Sequence, residues 1–392
     1  MTPEIQQMPE YPGSLRSKLP RVGTTIFTEM SQLAAEENAI NLSQGFPDFN
    51  CSPELIKLVN KHMQAGYNQY AHMGGVLELR QAISDKVSKL HGTYYDPESE
   101  ITVTAGGTQA IFTAIASCVT EGDEVIIFTP AYDCFEPAIE LSGGKPIFVQ
   151  LNVPDYSVDW ESVKKVINQK TKMIIINSPH NPSGSVLKED DILQLEKIIG
   201  NSDILVLSDE VYEHIVFDGI QHQSVARFPN LADRSFIISS FGKTYHTTGW
   251  KVGYCLAPKN LMKEFRKAHQ YIVFAVNTPI QYALAEYIKY EEAYLGLSAF
   301  YQAKRDLFCG LIENSRFEFT PSKGTYFQLL KYDQITEESD VEFSKRLTRE
   351  FKLASIPISV FYHKKVDKHV LRFCFAKGDA TLHKAANIIN TI

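Results

Sequence analysis

The sequence lacks the features that mark several large protein classes. Its six cysteines form no CxxC pair, so zinc clusters and disulfide frameworks are poorly supported and a reducing cytoplasm is the expected location. No apolar run approaches the roughly 18 residues that a membrane span needs. The start, MTPEIQQMPEYPGS, has no apolar core for a signal peptide. Its 22 glycines and 18 prolines follow no triplet period, which excludes collagen.

Basic tracts and basic tails are also absent, and Asp+Glu (46) outnumber Lys+Arg (39) for a net charge of -7. A nucleic-acid-binding protein would show a basic stripe to neutralise phosphates, so we expect no nucleic-acid partner and no membrane partner. Hydrophobic residues make up 44% of the chain, which excludes a disordered protein. Its 392 residues predict two or three domains, or one large and one small.

Between about residues 100 and 260, short β-branched runs alternate with helical stretches. The runs are EVIIF, PIFVQL, MIIIN, ILVLSDE, FIISS and VGYCLA. Strands that are apolar on both faces and alternate with helices predict an α/β fold with a mostly parallel sheet covered on both sides. Such sheets bind ligands beyond the carboxyl ends of their strands, so the residues just after each strand are the candidates for chemistry.

The two ends of the chain have a different pattern. Residues 1–23 are predicted to be an irregular arm, and residues 24–38 a short amphipathic helix. Ser52 and Pro53 predict the start of a second helix, with Leu55, Leu58, Val59, His62 and Met63 on one stripe. After about residue 280 helices precede the short strands TYFQLL and VLRFCFA, which predicts a smaller α+β domain packed with the arm.

Lys243 follows the strand FIIS, in the segment SSFGKTYHTTGWKVGY. A lysine at this edge of the sheet, in a dry site that lowers its pKa, could form a Schiff base with a carbonyl. An ordinary surface lysine is about as common. Ser240-x-x-Lys243 also matches the SxxK of penicillin-binding serine enzymes, but their SDN and KTG elements are missing.

Asp209 ends the very apolar strand ILVLS, in the segment SDEVYEHI. A carboxylate buried there needs a cationic partner, which a protonated pyridine nitrogen could supply. The alternative is an aspartate that caps the next helix. Tyr212, three residues further on, could donate to a phenolate oxygen on the same ring.

Three further segments are each modest evidence. NSPHNPSG could present Asn181 to a ligand from an irregular loop with two X-Pro bonds, either of which could be cis, or could be an ordinary turn. Gly107 and Thr108 open a helix after a strand, which suits a phosphate but is also commonplace. Arg372, in VLRFCFAKG, could clamp a carboxylate with its planar guanidinium or form a salt bridge at a sheet edge. Together these groups describe pyridoxal-phosphate chemistry on an amino acid.

Over nearly its whole length the chain resembles the class I aminotransferases, which are fold-type-I pyridoxal-phosphate enzymes. Within them it is similar to the kynurenine/glutamine aminotransferase branch, and most similar to that branch's bacterial methionine aminotransferases. The resemblance rests on NLSQGFPDF, NQYAHMGG, TAGGTQA, NSPHNPSG, SDEVYEHI, SSFGKTYHTTGWKVGYC and LRFCFAK. It implies an aspartate aminotransferase-like large domain with a seven-stranded sheet over 46–280. It also implies a smaller α+β domain over 281–392, and an arm over 1–45 that forms part of the small domain.

The resemblance also implies a role for each matching residue. Lys243 would hold pyridoxal 5'-phosphate as an internal aldimine and then move the proton between Cα and C4′. Asp209 would pair with the pyridine nitrogen, and Tyr212 and Asn181 would bond the phenolic oxygen. The remaining cofactor contacts would be Tyr132 stacked on the ring, and Gly107, Thr108, Ser240 and Lys251 at the phosphate. Lys251 stands where many relatives have arginine. Lysine keeps the positive charge but lacks the planar guanidinium that can donate two parallel hydrogen bonds.

Substrate binding and assembly follow from the same resemblance. Arg372 would clamp the α-carboxylate, assisted by Asn181 and the Gly45 backbone. Tyr70 would reach the phosphate of the neighbouring subunit's cofactor, which implies a homodimer. Phe27 and Phe274 match positions that line the substrate pocket, and Tyr67, Tyr245 and His246 are further candidates near it. With no second arginine for a dicarboxylate, the expected donor is methionine or another neutral or aromatic amino acid, and a 2-oxo acid is the acceptor.

Three alternatives are kept beside this aminotransferase. A carbon–sulfur β-lyase, acting on cysteine conjugates or cystathionine, would use the same cofactor and lysine. A regulator built on this fold would need a DNA-binding helix-turn-helix module, and the roughly 45 residues before SQGFPDF are too few and not basic enough. A relative that has lost catalysis is disfavoured because Lys243, Asp209 and Arg372 are all present.

Overall fold

The computed structural model describes residues 8–392. Its helices are α1 (Ile26–Glu36), α2 (Pro53–Gln64), α3 (Leu77–His91), α4 (Gly107–Cys118), α5 (Phe135–Leu141), α6 (Trp160–Val166), α7 (Glu189–Ile199), α8 (Pro229–Ala232), α9 (Phe241–Thr244), α10 (Lys259–Ile272), α11 (Thr278–Tyr287), α12 (Glu292–Leu295), α13 (Leu297–Ile312), α14 (Asp340–Glu350) and α15 (Asp379–Ile389). Its strands are β1 (Ile40–Asn41), β2 (Ile101–Thr104), β3 (Glu124–Thr129), β4 (Lys145–Gln150), β5 (Thr171–Asn177), β6 (Leu205–Asp209), β7 (Ser235–Ser240), β8 (Gly253–Leu256), β9 (Phe327–Lys331), β10 (Leu353–Ala354), β11 (Ile356–Pro357) and β12 (Val370–Cys374).

Seven strands form the central sheet in the order β2-β8-β7-β6-β5-β3-β4. The pairs from β7 to β4 are parallel, and only β8 runs against both of its neighbours. The predicted mostly parallel seven-stranded sheet is therefore confirmed. Because β8 is reversed, its first residues lie at the same edge as the last residues of β2, β7, β6, β5 and β3. That edge is where the candidate residues gather.

The strands of this sheet bury both of their faces. Ile126, Ile174 and Val206 pack into one apolar cluster with residues of α2, α3, α7 and α11. Their neighbours in sequence, such as Ile127 and Ile175, pack into a second cluster with residues of α4, α5 and α10. Successive side chains of a strand point to opposite faces, so apolar runs require helices on both sides. The sequence prediction of a doubly covered sheet is confirmed.

The second helix begins where the sequence predicts. The Ser52 hydroxyl accepts a hydrogen bond from the Glu54 backbone N–H at 3.2 Å, and Pro53 is the first helical residue. Leu55 and Leu58 are buried as predicted, but Met63 is 49% exposed. At 3.6 residues a turn, Met63 lies about 80° round the helix from Leu55. It therefore sits outside the stripe that packs, and the prediction that it belongs to that stripe is wrong.

A second, smaller sheet follows in the C-terminal part. Strands β11, β12 and β9 are antiparallel, with β12 in the centre. Near the other end of the chain, β1 pairs in parallel with β10. This pairing supports the predicted division into 1–45, 46–280 and 281–392, which stays a prediction. Residues 8–23 of the arm contain no helix or strand, and residues 1–7 lie outside the described part.

Some features are absent from the described residues. No helix in 8–392 is long and apolar enough to cross a membrane. Within the same range no three His, Cys, Asp or Glu side chains come together as a metal site. All six cysteines are free thiols, as their scattered spacing predicts.

Candidate active site

A cavity of about 130 Å³ opens at the carboxyl-end edge of the large sheet. Asp209 is the last residue of β6, Lys243 lies in α9 directly after β7, and Lys251 precedes the reversed strand β8. Nine of the ten predicted cofactor contacts line this cavity, and only Tyr70 does not. The nine are Gly107, Thr108, Tyr132, Asn181, Asp209, Tyr212, Ser240, Lys243 and Lys251.

Lys243 points its amine at neutral oxygens. Its Nζ lies 2.9 Å from the Tyr326 hydroxyl and 3.2 Å from the Gly45 carbonyl oxygen. The rings of Tyr212 and Tyr326 each lie 5.5 Å from Nζ. Burial lowers the pKa of Lys243 to about 8, and the cations Lys251 and Arg372 add to this effect. About a tenth of the amine is therefore the nucleophilic free base at pH 7, and about half of it at pH 8.

Asp209 is a buried carboxyl group that faces the same cavity. One of its oxygens accepts a hydrogen bond from the Val211 backbone N–H at 3.3 Å. Its backbone carbonyl is fixed by the Asn177 side chain and the Ser178 N–H, at 3.0 and 3.1 Å. Burial raises the pKa of Asp209 to about 7, against the opposing pull of Lys243. A cation bound in the cavity would restore the carboxylate.

Two tyrosines stand on the walls of the cavity. Tyr212 is 3% exposed, and Tyr132 and Thr108 have their hydroxyl oxygens 3.3 Å apart. Burial raises the pKa of both phenols far above its ordinary value, so both are hydrogen-bond donors at neutral pH. Their hydroxyls are available to an oxygen or a phosphate within the cavity.

The start of α4 leaves room for an anion. Gly106, the residue before the helix, has φ 82°, a left-handed conformation that glycine adopts without strain. A Cβ atom at Gly106 would lie 3.3 Å from Nζ of Lys251, and one at Gly107 would lie 2.9 Å from Val211 Cγ1. The bare backbone keeps free N–H groups and the Lys251 ammonium on one concave surface. Such a surface binds phosphate.

Arg372 lies at the centre of the small sheet and is 1% exposed. One guanidinium nitrogen donates to the Asn181 side-chain oxygen at 2.7 Å and another to the Ser43 carbonyl at 3.1 Å. Nε of Arg372 has no hydrogen-bond partner within residues 8–392. Because β12 is the central strand, the alternative of a salt-bridged edge residue is wrong. Burial lowers the pKa of Arg372 to about 10, so it stays charged.

Rings surround that guanidinium. The Phe327 ring lies 3.9 Å from Cζ of Arg372, and the Phe27 and Phe361 rings each lie 5.3 Å away. Phe27 thus stands beside the predicted carboxylate clamp. Phe27 was predicted from the sequence, whereas Phe327 and Phe361 were not.

The loop after β5 fixes Asn181. The Ser178–Pro179 and Asn181–Pro182 bonds are both cis, so the expected irregular backbone is confirmed. The Asn181 N–H donates to the Asn177 side-chain oxygen at 2.9 Å. This leaves the Asn181 side chain directed at Arg372.

Other predicted residues lie elsewhere in this chain. Tyr70 is 82% exposed and Phe274 is 49% exposed, with their ring centroids 5.0 Å apart. Tyr67 packs against Tyr282, which gives it no contact with the cavity in its own chain. Tyr245 is buried against Tyr287 in the core below α9, away from the cavity lining.

His246 packs away from the cavity as well. Its ring lies 5.0 Å from Phe49 and 5.6 Å from Tyr301. This is the packing role that the sequence left open beside a specificity role.

Comparison with known proteins identifies the family. The family model "Aminotransferase class I and II" matches residues 37–389. The chain belongs to this family. It is 48% identical over 372 residues to a methionine aminotransferase of Escherichia coli, covering 95% of this chain and 96% of the relative. It is 34% identical to a kynurenine–oxoglutarate transaminase of Dictyostelium discoideum, covering 93% of each chain. The predicted branch is thereby confirmed.

Solved structures agree with this assignment. A crystal structure of Escherichia coli methionine aminotransferase superimposes with a TM-score of 0.94 at 47% identity, covering 97% of this chain and 100% of that one. An aspartate aminotransferase variant of Thermus thermophilus superimposes with a TM-score of 0.88 at 25% identity, covering 97% of this chain and 99% of that one. The chain is therefore an aminotransferase with an aspartate aminotransferase-like fold, and the β-lyase alternative is not favoured.

The aminotransferase family uses pyridoxal phosphate, and the residues of the cavity fit that group. Asp209 is a buried acid that lines the cavity and could pair with a cation. The start of α4 and Lys251 form a concave surface that a Cβ atom at Gly106 would narrow. Lys243 supplies an amine with a lowered pKa between them. The donors and acceptors of the cavity thus match a ring nitrogen, an aldehyde and a phosphate.

Tyr326, whose hydroxyl lies 2.9 Å from Nζ of Lys243, was not predicted from the sequence. It lies in the segment KGTYFQ, whose pattern predicts only the start of a strand. A tyrosine beside a glycine-containing turn at a strand start is the one signal that could have indicated it. No pattern in the sequence links position 326 to position 243.

Proposed function

We propose that this aminotransferase moves the amino group of methionine, or another neutral or aromatic L-amino acid, to a 2-oxo acid with pyridoxal 5'-phosphate held at Lys243. One observation supports this above the others. The cavity contains the part-buried amine of Lys243 and the buried acid of Asp209, and Asn181 on its wall accepts a hydrogen bond from the buried guanidinium of Arg372. These are the three groups that an amino acid and a pyridine aldehyde need at once.

Different residues of the cavity would bind different parts of the cofactor. Lys251, Ser240 and the α4 start would hold the phosphate, and Tyr132 would stack on the ring. Asp209 would pair with the ring nitrogen, while Tyr212 and Asn181 would bond the phenolic oxygen. When bound, pyridoxal phosphate supplies an electron sink for the electrons of the Cα–H bond.

Lys243 has two tasks in this proposal. Its amine would hold the cofactor, and the amino group of the substrate would later take its place. Once free, Nζ would carry the proton between Cα of the substrate and C4′ of the cofactor. A pKa of about 8 suits this exchange, because a general acid–base group works best when its pKa is near the working pH.

Arg372 would bind the α-carboxylate of the substrate. Its Nε is buried and has no partner among the described residues, so the guanidinium has donor capacity to spare. Phe27, Phe327 and Phe361 around it are apolar, which suits an uncharged side chain. Methionine is the first donor to test because of the similarity to the Escherichia coli enzyme.

We also propose a homodimer in which Tyr70 completes the neighbouring subunit's phosphate site. Tyr70 and Tyr271 are more than four-fifths exposed, at 82% and 87%, and the half-exposed Phe274 packs against Tyr70. Exposed aromatic patches of this kind mark surfaces that a partner covers. A cytoplasmic location stays a prediction.

An absorbance spectrum of the purified enzyme tests the proposed reaction. We expect a visible band from the cofactor on Lys243, which L-methionine alone converts to the near-ultraviolet band of the aminated cofactor. The Lys243→Ala variant should show neither the first band nor the conversion. A visible band that persists while a cysteine conjugate yields pyruvate and ammonia would show a lyase instead.

A further inference from the structure

We propose that Tyr326 is a positioning residue, whose hydroxyl holds the free amine of Lys243 beside the Gly45 carbonyl. The inference rests on the proposed function, in which Lys243 alternates between a bound and a free amine. No motif of the sequence predicts a role for Tyr326. Tyr326 does not itself transfer the proton in this proposal.

Three polar atoms form a closed triangle at this point. Lys243 Nζ is 2.9 Å from the Tyr326 hydroxyl and 3.2 Å from the Gly45 carbonyl oxygen. The Tyr326 hydroxyl is 2.5 Å from the same carbonyl. Each atom therefore fixes the other two.

The direction of these hydrogen bonds follows from chemistry. The Gly45 carbonyl only accepts, so the Tyr326 hydroxyl donates to it. This leaves an oxygen lone pair of Tyr326 for the Lys243 ammonium, which donates to both oxygens. Burial raises the pKa of Tyr326 far above its ordinary value, so this phenol remains neutral while Lys243 titrates.

Tyr326 is itself held rigidly. Its backbone carbonyl accepts from the Phe375 N–H at 3.0 Å, and its side chain is fully buried. Its ring meets Tyr212 edge-on at 5.2 Å and Tyr301 at 5.6 Å. Because the ring is constrained, its hydroxyl stays in one place and holds the Lys243 amine in one position.

Gly45 is held in the same arrangement. A Cβ atom there would lie 2.7 Å from the Phe327 ring, the ring that also stacks on Arg372. The Lys243 amine is therefore anchored on the side where the substrate carboxylate is expected. A freed lysine kept there remains within reach of Cα, and loss of one anchor lets it move among rotamers.

Tyr301 provides a matched control. It is a buried tyrosine whose ring packs against Tyr326, and its hydroxyl has no hydrogen-bond partner within residues 8–392. Tyr301→Phe and Tyr326→Phe each remove one oxygen from the same aromatic cluster. Only the second removes a contact to Lys243.

The first measurement is the pKa of Lys243 in enzyme loaded with pyridoxamine phosphate, which has no aldehyde and leaves the lysine free. Lys243 is acetylated with trace acetic anhydride at a series of pH values, and mass spectrometry measures the extent of its acetylation. Tyr326→Phe should lower the pKa of Lys243 by about one unit, because a lost hydrogen bond to a charged group costs about 1.5–3 kcal/mol before water compensates. Tyr301→Phe should leave it unchanged.

The second measurement separates kcat from KM at a pH above both pKa values, where Lys243 is equally deprotonated in all variants. Tyr326→Phe should reduce kcat on the order of tenfold and change KM for L-methionine less than about twofold, since orientation and not binding is lost. Tyr301→Phe should match the wild type. If Tyr326→Phe behaves as Tyr301→Phe in either measurement, or alters KM alone, the proposal is wrong.

Failure of the proposed function would look different. In that case the wild type and Tyr301→Phe would also fail to convert the visible band with L-methionine. The labelling measurement still reports the contact between Tyr326 and Lys243 in that case, since it needs no turnover.

Discussion

A guanidinium nitrogen of Arg372 donates a 2.7 Å hydrogen bond to the side-chain oxygen of Asn181, which lies 191 positions earlier in the chain. Arg372 belongs to the small sheet, while Asn181 follows a strand of the large sheet. The bond links the proposed carboxylate clamp to a proposed contact of the cofactor oxygen. In the proposed function, binding of a substrate carboxylate at Arg372 would therefore be coupled to the position of Asn181.

Arg372→Lys tests the clamp. The variant keeps the charge but loses the planar fork, so KM for L-methionine should rise about 10- to 100-fold. The control is 3-methylthiopropylamine, the same side chain on an amine without a carboxylate, whose slow half-reaction should be unchanged. An equal loss with both compounds would show that Arg372 supports the fold and not the carboxylate.

Asp209→Asn tests the buried acid through protein stability. In the cofactor-free protein the pKa of Asp209 is raised from 3.8 to about 7, so the folded state binds the proton more tightly than the unfolded state. The raised pKa of Asp209 adds to the free energy of unfolding in full below about pH 4, and this contribution is lost as the pH rises through 7. The cofactor-free Asp209→Asn variant should therefore be more stable than the wild type at pH 8, by about 1–3 kcal/mol.

Urea unfolding at pH 4.5 and pH 8 measures this difference, which should shrink at the lower pH. Added pyridoxal phosphate should stabilise the wild type more than Asp209→Asn, because only the carboxylate pairs with a ring cation. A stability difference independent of pH would contradict the assignment of Asp209.

Lys251 variants test the phosphate seat. Lys251→Gln should weaken the binding of pyridoxal phosphate about 10- to 100-fold, since it removes a charged donor from the start of α4. Lys251→Arg should stay within about threefold of the wild type, because the charge is kept. Equilibrium dialysis measures both, and pyridoxal without the phosphate should bind all three proteins alike.

Tyr70→Phe tests the shared site of the proposed dimer. One lost hydrogen bond to a phosphate should weaken cofactor retention about tenfold while sedimentation still shows a dimer. Tyr94→Phe is the control, since Tyr94 is an exposed tyrosine that lies outside the groove lined by Tyr70. A monomeric wild type at micromolar concentration, or equal retention in both variants, would contradict the proposal.

Local patterns predicted most of the elements because local physics forms them. Apolar runs such as MIIIN became strands buried on both faces, and Ser52–Pro53 began a helix. Met63 was misplaced because periodicity gives the direction of a side chain but not the width of the surface that covers it. Residues after strands were found because parallel strands end at one edge.

The sequence by itself determined the covered parallel sheet, the residues at its edge and, through its motifs, the family. The tertiary structure decided what depends on distance between remote segments. It placed Tyr326 and Gly45 on Lys243, and it surrounded Arg372 with Phe327 and Phe361. It also raised the pKa of Asp209 and lowered that of Lys243. Burial and contact arise only when segments 80 to 330 positions apart, such as Tyr326 with Lys243 and Arg372 with Ser43, are packed together, and no local pattern contains that information.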